Sequence, residues 1–80
     1  MGALVRVRDV SFTKSARRQM GDLPAEAHDA ILEELRNQFR DEDLQEGEHV
    51  KALLLEELVV RANLFLDQDG ILWVESVSAG

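Results

Sequence analysis

The sequence predicts a single small α+β domain in which a helix hairpin packs on one face of a mainly antiparallel sheet. Residues 25–40 place apolar side chains at the three- and four-residue spacing of a helix buried along one face. Residues 58–77 alternate apolar and polar side chains around Asp67-Gln68-Asp69-Gly70, the pattern of a β-hairpin. With 80 residues, 45% hydrophobic and 31% charged, the chain suits one core and one domain spanning residues 1–80.

The N-terminal quarter predicts a strand followed by a short helix. Residues 4–10 alternate valine with arginine, as in a half-exposed strand. Thr13 suits the N-cap of a helix, because its hydroxyl accepts a backbone N–H. The stripe expected to face the core is Phe12, Ala16, Met20 and Leu23. Gly21 predicts a left-handed C-cap, and Pro24 suits the first turn of the next helix.

The second helix is predicted over residues 25–40. Its buried face is expected to consist of Ala27, Ile31, Leu32, Leu35 and Phe39. The acidic residues 41–48 predict a solvated loop, whose spacing does not match the twelve-residue calcium loop, so no metal site is predicted. Residues 50–55 predict a strand, although the same leucine-rich run would also suit a helix.

The C-terminal hairpin gives an expected register, in which Leu66 faces Ile71, Leu64 faces Trp73, and Arg61 faces Ser76. This register places Trp73 in the core beneath the helices. The uncovered face is then expected to carry Phe65, Leu72 and Val74 near the turn and Arg61, Asn63 and Ser76 at the open end.

Charge and composition restrict the classes of function. The net charge of −7 argues against a domain whose main task is to hold phosphate backbones. Residues 1–20 nevertheless carry five Lys and Arg against one acid, so they form either a local basic patch or a merely soluble surface. The sequence has no cysteine, no apolar run near membrane-spanning length and no signal-peptide core, which favours the cytoplasm over a membrane.

Three segments, in their order along the chain, resemble the RelE/ParE family of bacterial toxins. Phe12-Thr13-Lys14-Ser15-Ala16 is similar to the family's aromatic and small-polar start of the first helix. Leu23-Pro24-Ala25-Glu26 resembles its Leu-Pro link between two helices. Residues 61–74, from Arg61 through Asp67 and Gly70, resemble its C-terminal hairpin. The resemblance covers nearly the whole chain and implies the element order β-α-α-β-β-β.

The resemblance implies the toxin of a type II toxin–antitoxin pair, bound by a cognate antitoxin through a helix or extended segment. RelE-like members cleave messenger RNA on the ribosome, and ParE-like members poison DNA gyrase. For an RNA-cleaving member the resemblance assigns Arg61 to phosphate contact, with Lys51 as a helper if its strand lies alongside. The residues expected to bind partner or target are Arg61, Asn63, Ser76, Arg17 and Arg18. No cofactor is implied.

The acid–base residues of the family are largely missing. The sequence contains no tyrosine, and Val60 occupies the position where the family often has one. His49 and His28 are alternative bases, although each is also explained as a surface residue. Arg61 is likewise explained as a solvated residue paired with Glu57. The leading expectation is therefore a toxin that acts by binding, with a non-toxic interaction domain, a homodimer and a messenger-RNA endoribonuclease as open alternatives.

Overall fold

The computed structural model describes residues 3–55 and 58–79, and the α+β prediction is confirmed for them: two helices accompany a mostly antiparallel sheet. The elements within these residues are β1 (Leu4–Arg6), β2 (Asp9–Phe12), α1 (Lys14–Met20), α2 (Ala25–Phe39), β3 (Asp43–Gln45), β4 (Gly47–Leu55), β5 (Leu58–Leu66) and β6 (Ile71–Ala79).

The main sheet has the strand order β2-β6-β5-β4, with β2 parallel to β6 and the other pairs antiparallel. The prediction of one strand over residues 4–10 is wrong. Val7 and Arg8 leave the ladder and donate their backbone N–H groups to the carbonyls of Glu42 and Gly70, each at 2.8 Å. The chain is therefore divided between β2 and a separate two-stranded sheet in which β1 pairs with β3.

The acidic segment 41–48 is thus not simply a loop, since Asp43–Gln45 form β3 and Gly47 begins β4. Polar residues extend as strands here because β1 supplies hydrogen-bond partners for β3 and β5 supplies them for the start of β4. The strand predicted over residues 50–55 is confirmed as part of β4.

Both helices form close to where the sequence places them. The Thr13 side chain caps α1 by accepting the Ala16 N–H at 3.2 Å, as expected. The left-handed C-cap at Gly21 is wrong, because Gly21 has φ −59° and ψ −22°. Successive i→i+3 bonds, such as Leu23 N–H to Met20 C=O at 2.9 Å, tighten the end of α1 instead.

One hydrophobic core joins the helices to one face of the main sheet. The buried side chains in it are Val7, Val10, Ala16, Met20, Ile31, Leu35, Leu53, Val60, Ala62, Leu64, Leu66, Leu72, Val74 and Val77. Burial alternates strictly along β5, so every second side chain of this central strand points away from the helices. The helices therefore cover one face of the sheet and leave the other open.

The expected hairpin register is wrong by one residue. Leu66 pairs with Leu72, Phe65 with Trp73, and Leu64 with Val74. Leu72 and Val74 are fully buried, whereas Trp73 lies on the open face and is only half-buried. The predicted core position of Trp73 and the predicted exposure of Leu72 and Val74 are both corrected by this shift.

A bulge in β6 then changes the pairing beyond Val74. Between Asn63 and Leu64 the register shifts, so that Asn63 pairs with Ser76 and Ala62 with Val77, leaving Glu75 as the extra residue. β2 ends beside Val74, and α1 supplies partners for the next part of β6. The Gln19 side-chain oxygen accepts the Val77 N–H at 2.6 Å. The bulge thereby returns Val77 to the core.

Candidate binding surface

The open face of the main sheet, here called the outer face, is built from alternate residues of β4, β5 and β6. Cross-strand pairs arrange these side chains in rows. From the Asp67–Gly70 turn outwards the rows are Glu48–Phe65–Trp73, Val50–Asn63–Ser76, Ala52–Arg61–Ser78 and Leu54–Val59. All the β4 and β5 members of these rows are exposed. The outer face is therefore a continuous, accessible surface.

The polar part of the outer face is centred on Arg61 and Asn63. The predicted exposure of Arg61 holds, but its cross-strand neighbours are Ala52 and Ser78, not Ser76. Asn63 Nδ2 donates to Ser76 Oγ at 2.6 Å, which fixes the orientation of this amide. Among the described residues, the ion pairs are Arg6–Asp43 and Arg36–Asp9, and neither involves Arg61. The expected partner Glu57 lies outside the described residues.

Lys51 does not assist Arg61. It pairs with Ala62 and so lies on the opposite face of the sheet from Arg61, which pairs with Ala52. Because side chains alternate across a strand, a shift of one residue reverses the face. A single phosphate group cannot contact both cations, because the sheet lies between them. The structure thus separates the two residues that the resemblance assigns to phosphate contact.

The predicted cations of the first helix are also remote from Arg61. Arg17 and Arg18 are exposed on α1, whose Ala16 and Met20 face the core. Since α1 covers the inner face of the sheet, both arginines lie on the helix side of the molecule. The structure brings Arg61, Asn63 and Ser76 together but leaves Arg17 and Arg18 in a separate place.

Large apolar side chains make up much of the outer face, and sequence reasoning missed most of them. Val50 and Leu54 of β4 are 68% and 74% exposed, and Val59 and Phe65 of β5 are 44% and 37% exposed. If β4 is treated as a strand, alternation places Val50, Ala52 and Leu54 on one face and His49, Lys51 and Leu53 on the other. This pattern could have revealed the apolar residues of β4 on the outer face.

Trp73 is anchored to the turn that closes the hairpin. Its indole Nε1–H donates to Asp67 Oδ2 at 2.9 Å, while Asp67 Oδ1 accepts the N–H groups of Asp69 and Ile71 at 2.9 and 3.0 Å. The Trp73 hydrogen bond, followed by those backbone donors, lowers the pKa of Asp67 below its ordinary value. This hydrogen bond links the indole ring to the turn, and Trp73 lies directly across the strand pair from Phe65.

Neither histidine belongs to the cross-strand rows of the outer face, although His49 lines a small cavity with Asn63 and Ser76. His49 lies on the inner side of β4, and its Nε2 is 2.7 Å from the Gln45 carbonyl oxygen. His28, on α2, hydrogen-bonds through Nε2 to the Met20 carbonyl at the end of α1. Each contact joins neighbouring elements, and neither brings an imidazole to Arg61. Among the described residues, no three His, Asp or Glu side chains are grouped as a metal site would require.

The outer face thus combines an aromatic pair, exposed aliphatic residues, an exposed arginine position and a hydrogen-bonded amide. Across residues 3–55 and 58–79, neither helix has the length and apolar content needed to cross a membrane. Compared with known proteins, the chain matches no protein-family model, no curated protein and no solved structure.

Proposed function

We propose that this chain is the toxin component of a bacterial type II toxin–antitoxin pair, a RelE/ParE relative or a diverged member of that family acting in the cytoplasm. It acts by binding a cellular target through the outer face. The ribosome with its messenger RNA and DNA gyrase are the targets that the resemblance implies, and a cognate antitoxin neutralises it. Support comes from the order of the three motifs and from a mixed four-stranded sheet beside two helices.

The observation that carries the binding role is the exposure of large apolar side chains on the outer face. Val50 and Leu54 each expose more than two thirds of their surface, and Phe65 lies one row away from Val50. Soluble monomers seldom expose contiguous apolar patches larger than roughly a few hundred Å², and larger patches generally mark sites that bind other molecules. Arg61 and Asn63, within the same patch, add the polar contacts that orient a partner.

Binding is favoured over RNA cleavage by what surrounds Arg61. Cleavage requires a group that removes a proton and a cation that stabilises the phosphorane, both within reach of one phosphate. The cross-strand neighbours of Arg61 are Ala52 and Ser78, neither of which exchanges protons near neutral pH. Lys51 lies on the other face, and the net charge of −7 opposes steering toward RNA.

A second candidate is a non-toxic interaction domain of the same fold, including a homodimer. The observation that favours it is the edge position of β4, whose nine residues face no further strand among those described. An exposed edge offers backbone hydrogen-bonding groups to a strand from another chain. This candidate also binds through β4, which contributes to the outer face, but it predicts no growth phenotype.

Growth on induced expression distinguishes the candidates. Wild-type protein is expected to arrest growth, and co-expression of the adjacent gene product is expected to restore it. Val50→Asp is expected to abolish arrest because it places a charge in the patch, whereas Leu4→Asp, at an equally exposed site on β1, should not. Both variants are checked for folding by circular dichroism. Harmless accumulation of folded wild-type protein would refute the toxin proposal and leave the interaction domain.

The endoribonuclease alternative has its own readout. Primer extension on messenger RNA from expressing cells would show new 5′ ends that disappear with Arg61→Ala if the chain cleaves RNA through this residue. Under the binding proposal, no new ends form during growth arrest. New ends that depend on Arg61 would therefore overturn the binding mechanism while preserving the toxin assignment.

A further inference from the structure

A groove on the helix side of the molecule, here called the α2 groove, runs between α2 and the adjoining ends of β4 and β5. It has a volume of about 640 Å³ and an apolar floor that includes Ala27, Ala30, Leu55 and Leu58. The two leucines are only half-buried although they pack against the core. Its described lining includes Leu54 from the end of the outer face but neither Arg61 nor Asn63, so the groove is separate from the polar part of that face.

The charged side chains that line this groove all have the same sign. They are Glu26, Glu33 and Glu34 on α2, and the described lining contains no Lys or Arg. Glu26 and Glu33 are exposed, so their carboxylates are available to a ligand in solution. An apolar floor beside an acidic rim repels nucleic acid and anionic lipid surfaces and attracts a ligand with cations flanking an apolar face.

The α2 side of the groove has the geometry of a helix-packing surface. Its lining positions 26, 30, 33 and 37 follow the three- and four-residue spacing of one helical stripe. Ala30 within this stripe, with Ala27 beside it, allows another backbone to approach closely, at an interaxial distance of about 8–10 Å. From Glu26 to Asn37 the stripe is about 17 Å long, which corresponds to roughly three helical turns.

From the apolar floor, the acidic rim and the helical stripe together, we propose that the α2 groove binds a basic amphipathic helix of a partner protein. The helix places apolar side chains at i, i+3 or i+4 and i+7 on the floor and Lys or Arg beside the rim carboxylates. This inference does not rest on the toxin proposal, because it concerns the helix side of the molecule and predicts binding whether or not growth is arrested.

A titration of ¹⁵N-labelled protein with synthetic peptides tests the groove. The probe is a capped peptide of about 14 residues with leucines on one helical face and lysines elsewhere. Two matched peptides replace every lysine by glutamate or scramble the order so that no apolar face forms. The lysine peptide is expected to shift amide resonances of residues 23–37 and of Leu54, Leu55 and Leu58, with affinity that falls as salt rises. The other two peptides are expected to bind at least about tenfold more weakly.

Charge-reversal variants localise the binding. The double variant with Glu26→Lys and Glu33→Lys, both at exposed sites on the rim, is expected to bind the lysine peptide about tenfold or more weakly. The matched control, Glu46→Lys with Asp69→Lys, changes the net charge equally at exposed sites away from the groove and should have a much smaller effect. Equal weakening by both double variants would show attraction to net charge only and would overturn the proposal.

Two other results would also overturn it. Equal binding of the scrambled peptide would mean that no apolar face is recognised. A concentration-dependent dimer by analytical ultracentrifugation, with shifts at residues 23–37 on dilution of the protein alone, would assign the groove to a second copy of this chain. Binding of the lysine peptide to Val50→Asp with unchanged affinity is expected, because Val50 does not line the groove, and this result separates the groove from the polar part of the outer face.

Discussion

Replacing Gly70 by alanine tests the junction between the hairpin turn and the N-terminal segment. Gly70 has φ +89°, a backbone conformation that residues other than glycine adopt only with strain. A Cβ at this position would lie 2.7 Å from the Arg6 carbonyl oxygen and 2.9 Å from Arg8 Cγ. The carbonyl oxygen belongs to the backbone, so the segment carrying Arg6 must move to relieve the overlap.

The magnitude follows from two separate costs. The positive φ costs about 1–2 kcal/mol for an alanine. Displacing the Arg6 segment also weakens the 2.8 Å hydrogen bond from Arg8 N–H to the Gly70 carbonyl, at about 1 kcal/mol, in addition to the strain of the overlap. The total expected loss in the free energy of unfolding is about 2–4 kcal/mol, a large part of the stability of a domain of this size.

Gly47 provides the matched control, because it has φ +116° but a Cβ there would meet no atom within 4 Å. Gly47→Ala should therefore lose only the conformational part, about 1–2 kcal/mol. Urea unfolding of both variants is followed by circular dichroism and by the fluorescence of Trp73, the only tryptophan in the sequence. If Gly70→Ala were no more destabilising than Gly47→Ala, the packing of the N-terminal segment against the turn would be refuted.

Two further predictions concern the corrected register and the Asp67–Trp73 contact. Leu64→Ala removes a fully buried side chain and should lower the free energy of unfolding by about 3 kcal/mol. Leu54→Ala, at a position 74% exposed, should change it by less than about 0.5 kcal/mol. Urea unfolding of the two variants checks this, and similar losses would contradict the assignment of faces. Because Asp67 has a folded-state pKa below its ordinary value of 3.8, its contribution to stability is present above that pH and is lost as the pH falls through the lowered pKa. Trp73→Phe removes the hydrogen bond that contributes most to lowering the Asp67 pKa, so less stability should be lost below pH 3.8. Urea unfolding at a series of pH values measures this, and an unchanged pH dependence would contradict the contact.

The elements that the sequence predicts well are those specified by their own residues. The apolar stripe of α2, the Thr13 cap and the glycine of the hairpin turn depend on neighbours within a few positions. The division of residues 4–12 between two sheets depends on distant backbone partners instead. Val7 and Arg8 leave the ladder because Glu42 and Gly70 accept their N–H groups, and no local pattern reveals those acceptors.

The same distinction explains which part of the binding surface was found. In β5 every second residue is apolar and buried, so alternation alone places Arg61 and Asn63 on the outer face whatever the register. In β6 both phases contain large apolar residues, with Ile71 and Trp73 in one and Leu72 and Val74 in the other. Alternation cannot show which phase faces the core. If the strand is assumed to have no bulge before Val77, Ile71 and Trp73 are wrongly placed in the core with Val77.

The structure satisfies both phases of β6 by changing phase at the bulge. Leu72 and Val74 face the core before it, and Val77 faces the core after it, because Glu75 is the extra residue. The Thr13 and Gln19 side chains hydrogen-bond to the backbone of this part of β6, at Val74, which pairs with the last residue of β2, and at Val77 beyond it. The bulge therefore involves contacts from α1 and its cap as well as the strand itself, and it brings Ser76, rather than Glu75, opposite Asn63. The polar centre of the outer face is thus set by a helix on the far side of the sheet.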